Sequence, residues 1–89
     1  MTLRKIVVLE YFEDREARGI HPTTRDLAAR YRVTEKAAER HLRSLHAEHL
    51  IEPLRVEPLW RDVRFQLTDR GRARLAWHRG QSTGSIELE

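Results

Sequence analysis

A mainly α-helical fold with one small β-hairpin is the class this sequence predicts. Four segments, 2–18, 23–31, 34–48 and 68–78, space their apolar residues at helical intervals, and one, 63–67, switches to strict alternation. At 89 residues the chain has room for a single core, since domains usually run to about 100–200 residues. A body spanning 1–79 is expected, followed by a small, polar and flexible tail over 80–89.

Composition narrows the function. Hydrophobic residues at 39% suffice for a core, and charged residues at 35% leave little neutral surface, which argues against disorder and against a membrane protein. The longest strongly apolar run, Ile6-Val7-Val8-Leu9, is far short of the roughly 20 residues a bilayer requires, and no signal-peptide pattern follows Met1. A cytoplasmic location with no membrane association is therefore expected. With no cysteine, disulfide scaffolds, zinc ribbons and thiol nucleophiles are excluded. The net charge of +3 permits a polyanionic partner. The cations comprise fifteen Arg against two Lys, and Arg suits forked contacts with phosphate and guanine, although a GC-rich coding bias produces the same excess.

The first helix is expected from Thr2 to Arg18. Leu3, Ile6 and Leu9 lie on one side, Val8 and Phe12 on another, and Val7 and Tyr11 on a third, so it must be covered on more than one side. Gly19-Ile20-His21-Pro22 connects it to a capping box, Thr23 with Asp26 three residues on, and to a short helix ending near Tyr31 with Leu27, Ala28 and Tyr31 inward. Arg32-Val33 interrupts the pattern. Thr34 then caps a third helix to about Glu48, with Ala38, Leu42 and Leu45 as its buried stripe and Lys36, Arg40, Arg43 and Ala47 opposite. Two helices joined by so short a turn form a helix-turn-helix. Val63, Phe65 and Leu67 mark a half-buried strand, with Leu54 and Val56 as its expected partner across a turn at 57–60. Thr68 caps the last helix, Asp69 to about His78.

This order resembles a winged helix-turn-helix domain. The stretches Val8-Leu9-Glu10-Tyr11-Phe12 and Gly19 to Ala28 resemble the opening of LexA-type repressors. Arg40-His41-Leu42, Leu45 and Leu50-Ile51 look like a recognition helix and its exit, and Leu67-Thr68-Asp69-Arg70-Gly71 resembles the "LT, two residues, G" signature of MarR-like and PadR-like regulators. Arg32 and His49 stand where these families usually carry Gly in a left-handed backbone, at a cost on the order of 1 kcal/mol.

The resemblance implies a sequence-specific double-stranded DNA-binding regulator, with the helix at about 35–48 in the major groove and the hairpin at about 51–67 on the backbone or in the minor groove. Lys36, Arg40 and Arg43 are then the candidate base readers, with Thr34 at the helix entry. The close like charges of these three cost a few tenths of a kcal/mol per pair in an isolated helix, which suggests a missing anion, and Glu39 offsets Arg43 in part. Arg25, in the first turn of the second helix, and Arg55, Arg61 and Arg64, on the hairpin, are the candidate phosphate contacts. Solvation of an outer face accounts for the hairpin arginines equally well. Trp60 is expected to fold over the core or meet a partner. His46 and His49 have a spacing that suits a metal, but no third ligand is evident, so neither metal nor cofactor is expected. Without a nucleophile elbow or a phosphate loop, an enzyme is not expected either. Val8, Phe12, Ala73 and Trp77 are the expected homodimer interface, because Trp77 lies about 160° from inward-facing Leu75. The alternative is a winged-helix module that docks on a protein of the transcription or replication machinery.

Overall fold

The computed structural model describes residues 4–87, so the expected start at Thr2 and the contribution of Leu3 lie outside the described residues. Helices α1 (Lys5–Ala17), α2 (Thr24–Tyr31) and α3 (Glu35–Ala47) are followed by strand β1 (Ile51–Pro53). A 3-10 turn (Trp60–Asp62), strand β2 (Phe65–Leu67) and helix α4 (Asp69–Glu87) complete the order. This is the expected winged helix-turn-helix. The caps form where the sequence placed them. Thr23 Oγ1 accepts from Asp26 N and Asp26 Oδ2 from Thr23 N, closing the capping box, and Thr34 Oγ1 accepts from Ala37 N at 3.0 Å.

Three helix ends close in the same way. Ile20 N donates to Arg15 O, Val33 N to Ala28 O and Leu50 N to Leu45 O, with a left-handed residue inside each closure. That residue is Gly19 once (φ 74°), but Arg32 (φ 54°) and His49 (φ 60°) in the other two. Both departures from glycine thus keep the left-handed backbone.

One core unites the elements. Val8, Leu9 and Phe12 of α1, Leu27 of α2, Ala38, Leu42 and Leu45 of α3, Leu50, Ile51, Phe65 and Leu67 of the hairpin and Leu75 of α4 are all buried. The all-round apolar character of α1 is therefore largely met inside the monomer. Tyr11 sits edge-on to both Phe12 and Tyr31, with ring centroids 6.0 and 5.7 Å apart.

The hairpin is shorter than expected and in a different place. β1 and β2 pair antiparallel as Ile51 with Leu67, Glu52 with Gln66 and Pro53 with Phe65, and one further bond runs from Leu54 N to Arg64 O. In this register the odd-numbered positions face the core, so Leu54 and Val56 have the parity of the solvent face. They are accordingly exposed, Val56 at 94%, and they are not the inward strand the alternation suggested.

Thr68 and Gly71 lock α4 onto this base. Thr68 N donates to Leu50 O, Thr68 Oγ1 donates to His49 O at 2.5 Å, and the same hydroxyl accepts from Gly71 N at 3.0 Å. A Cβ on Gly71 would lie 2.2 Å from the Leu50 carbonyl oxygen, so this close approach requires glycine. α4 then runs to Glu87 and not to about His78, which puts the expected boundary at 79 inside the helix. Gly80 and Gly84 weaken a helix by about 1 kcal/mol each, but no proline stops it. Among the described residues no helix is long and apolar enough to cross a membrane.

Candidate nucleic-acid interface

Burial of Ala38, Leu42 and Leu45 turns the opposite face of α3 outward. Lys36 and Arg40 are exposed on that face, and neither forms an ion pair among the described residues. Thr34 marks its entry. The Thr34 oxygen is engaged in capping, which leaves the hydroxyl hydrogen to donate elsewhere.

Arg43 is placed differently. Its Nε donates to Glu39 Oε2 at 3.0 Å, and its guanidinium lies 4.1 Å from the centre of the Trp60 ring. Trp60 packs in turn on Phe65, at 5.3 Å between ring centroids, and near His46, at 6.3 Å. The indole thus folds over the core, one of the two roles expected of it. Arg43 joins the recognition helix to the wing through a cation–π contact of a kind usually worth about 0.5–2 kcal/mol.

The expected phosphate contacts divide in the same manner. Arg64 donates from Nη1 to His21 O at 2.8 Å, beside the bond from Phe65 N to Pro22 O, so it ties the wing to the loop before α2. Arg55 pairs with Glu57 at 3.2 Å, although its side chain remains 84% exposed. Arg25 reaches Glu35 only loosely, at 3.9 Å. Arg61 is exposed without an ion pair among the described residues. Arg32, exposed in the turn between α2 and α3, adds a cation beside the recognition helix. Sequence reasoning treated it only as a missing glycine, although its place in the turn was signal enough.

Two of the expected interface residues need correction. Val8 and Phe12 are fully buried in the monomer core, where they have no surface to offer a second subunit. Helical spacing set them on a face of α1 but did not reveal that the chain's own α2, α3 and wing cover it. Ala73 and Trp77 are exposed, Trp77 at 59%. Among the described residues no group of three or more His, Asp or Glu is arranged to hold a metal ion, and His46 and His49 instead line an open polar groove with Glu52 and Arg70.

A capped, outward-facing third helix beside a two-stranded wing defines the chain as a winged helix-turn-helix protein. No family model matches it, and no curated protein is significantly similar. Solved structures share its fold. The A103V mutant of MepR from a multidrug-resistant S. aureus clinical isolate superposes with a TM-score of 0.81 at 19% identity, covering 99% of this chain and 62% of that one. Streptococcus pneumoniae FabT in complex with DNA gives 0.68 at 20%, covering 99% and 59%. The MarR family transcription regulator SP03579 gives 0.68 at 25%, covering 99% and 56%. The architecture is thus that of MarR-family winged-helix structures, and this chain spans about three fifths of their length.

Proposed function

We propose that the protein is a sequence-specific double-stranded DNA-binding transcriptional regulator, acting in the cytoplasm as a homodimer through its first and last helices. In this reading α3 enters the major groove and the segment 51–67 lies on the backbone or in the minor groove. The observation that carries it is the outward face of α3, where exposed Lys36 and Arg40 stand one turn apart without an internal ion pair. Lys36 and Arg40 read base edges, with Thr34 at the groove entry. Arg25, Arg32, Arg55 and Arg61 meet phosphates. Arg43 and Arg64 reach DNA only by leaving the internal partners they hold. A shared fold with FabT, whose solved structure contains DNA, supports the reading, as does the LexA-like opening of α1 and α2.

Selection from random duplexes tests it, followed by Arg40→Ala and Lys36→Ala. A guanidinium forked onto guanine is worth about 1–3 kcal/mol of discrimination, and neither change touches the core. If both variants bind the selected duplex like the wild type, the groove assignment is wrong.

One observation favours a second reading, a module that docks on a protein partner. The wing exposes Leu54 at 40%, Val56 at 94% and Leu59 at 49%, and apolar tips of this sort suit a protein surface better than phosphates. Failure to enrich any duplex, together with retained folding, selects that reading.

A further inference from the structure

The seam between α1 and α4 holds a groove of about 330 Å³ that the DNA-binding face does not use. Apolar Ile6, Leu9 and Trp77 line it together with cationic Arg4, Lys5 and Arg74. Lys5 is paired with Glu48, whereas Arg4 and Arg74 form no ion pair among the described residues. An exposed indole beside two unneutralised guanidinium groups calls for an occupant that is both apolar and acidic.

The chain carries such a segment on the same helix. α4 is 19 residues long, about 28 Å, and Leu75 is its last buried residue among those described. Gly80-Gln81-Ser82-Thr83-Gly84-Ser85 is a poor helix former that would not hold its shape alone. Charge is graded along this part of the sequence. Arg70, Arg72, Arg74 and Arg79 stand in the first part against Asp69, and Glu87 and Glu89 stand in the last part with no Lys or Arg after Arg79.

We propose that the end of α4 from a second copy, Ile86-Glu87-Leu88-Glu89, docks in this groove, and that its own groove receives the same segment in return. Two α4 helices crossing antiparallel between Gln81 and Ser82 set Ile86 level with Trp77 and Glu89 level with Arg74, and the two-fold axis repeats both pairs. The small residues at 80–85 fall at the crossing, where they let the backbones approach. The inference rests on the homodimer part of the proposed function and names the segment that closes the dimer.

Sedimentation of the whole chain without DNA tests it, with circular dichroism to confirm folding. The wild type should be dimeric at about 10 µM. The E87K/E89K variant, altered well outside the core, should associate at least about tenfold more weakly, as should R74E, and combining the three changes should recover most of the loss. A monomeric wild type, an E87K/E89K variant that dimerises normally, or a combination that recovers nothing would overturn the proposal. The DNA reading fails separately: an intact dimer that enriches no duplex strikes that reading and leaves this one standing.

Discussion

At the residue scale, single atoms decide where the backbone turns. Gly71 sits so close to the Leu50 carbonyl that Gly71→Ala must push α4 off the wing base, and overpacking of this kind costs typically about 1–3 kcal/mol. Chemical denaturation should place the loss at the upper end of that range. His49 has the opposite problem, an ordinary side chain at φ 60°. His49→Gly should stabilise the fold by about 1 kcal/mol, because the carbonyl that receives Thr68 Oγ1 belongs to the backbone and survives the change. An unaltered or lower midpoint would show that the imidazole makes a compensating contact. Charge also acts locally. The Arg79 guanidinium, bonded to both Glu13 carboxylate oxygens at 2.6 and 3.1 Å, holds that carboxyl below its ordinary range. A depressed carboxylate stabilises the fold fully above the ordinary glutamate value and loses that contribution as the pH falls through the lower folded value. Acidification should therefore loosen α4 from α1, and amide exchange in α4 should rise with acid less steeply in Arg79→Gln, which starts without the contact. Both partners are about half exposed, so the effect is modest.

Among the elements, the wing is the least self-sufficient, with three residue pairs and an eleven-residue connection over 54–64. Arg43 on Trp60 and Arg64 on the His21 carbonyl brace it against α3 and the loop before α2. Arg43→Ala should speed amide exchange across 54–64 and lower DNA affinity without altering the dependence of log K on log salt. Arg61→Gln should instead flatten that slope by about 0.9, the value of one phosphate contact. If Arg43→Ala flattens the slope as well, Arg43 leaves its indole and meets phosphate. These elements differ in how far the sequence revealed them. α2 and α3 were legible because Thr23, Asp26 and Thr34 cap within three residues of themselves, and the left-handed positions at Arg32 and His49 follow from the resemblance. β1 was not, since its register depends on contacts 12 to 16 residues away, and the apolar types of Leu54 and Val56 pointed to the wrong parity. Arg43 looked like a base reader for the same reason: Trp60 lies 17 residues further on, beyond the reach of helical periodicity. The candidate site was thus legible as a face, and its division into free and engaged cations was not.

Across the whole molecule, the core spans all four helices and the wing, so the recognition face is rigidly tied to the α1–α4 seam. A dimer closed through that seam presents two copies of α3, and duplexes recovered by selection should contain inverted half-sites about 10–10.5 base pairs apart, or a multiple of that spacing. Single, unrepeated sites would show that one copy suffices. The stack of Arg43, Trp60 and Phe65 has an optical consequence. Indole emission depends on nearby charge and on water, and this ring is held beneath a guanidinium, next to His46, with its buried Nε1 lacking a hydrogen-bond partner among the described residues. Trp77, the other tryptophan, is on α4 in the other seam. In a Trp77→Phe protein, all tryptophan light would come from the joint between wing and recognition helix. The molecule therefore carries a native fluorophore at the place where binding would be felt, and titration with duplex can be followed without attaching a dye.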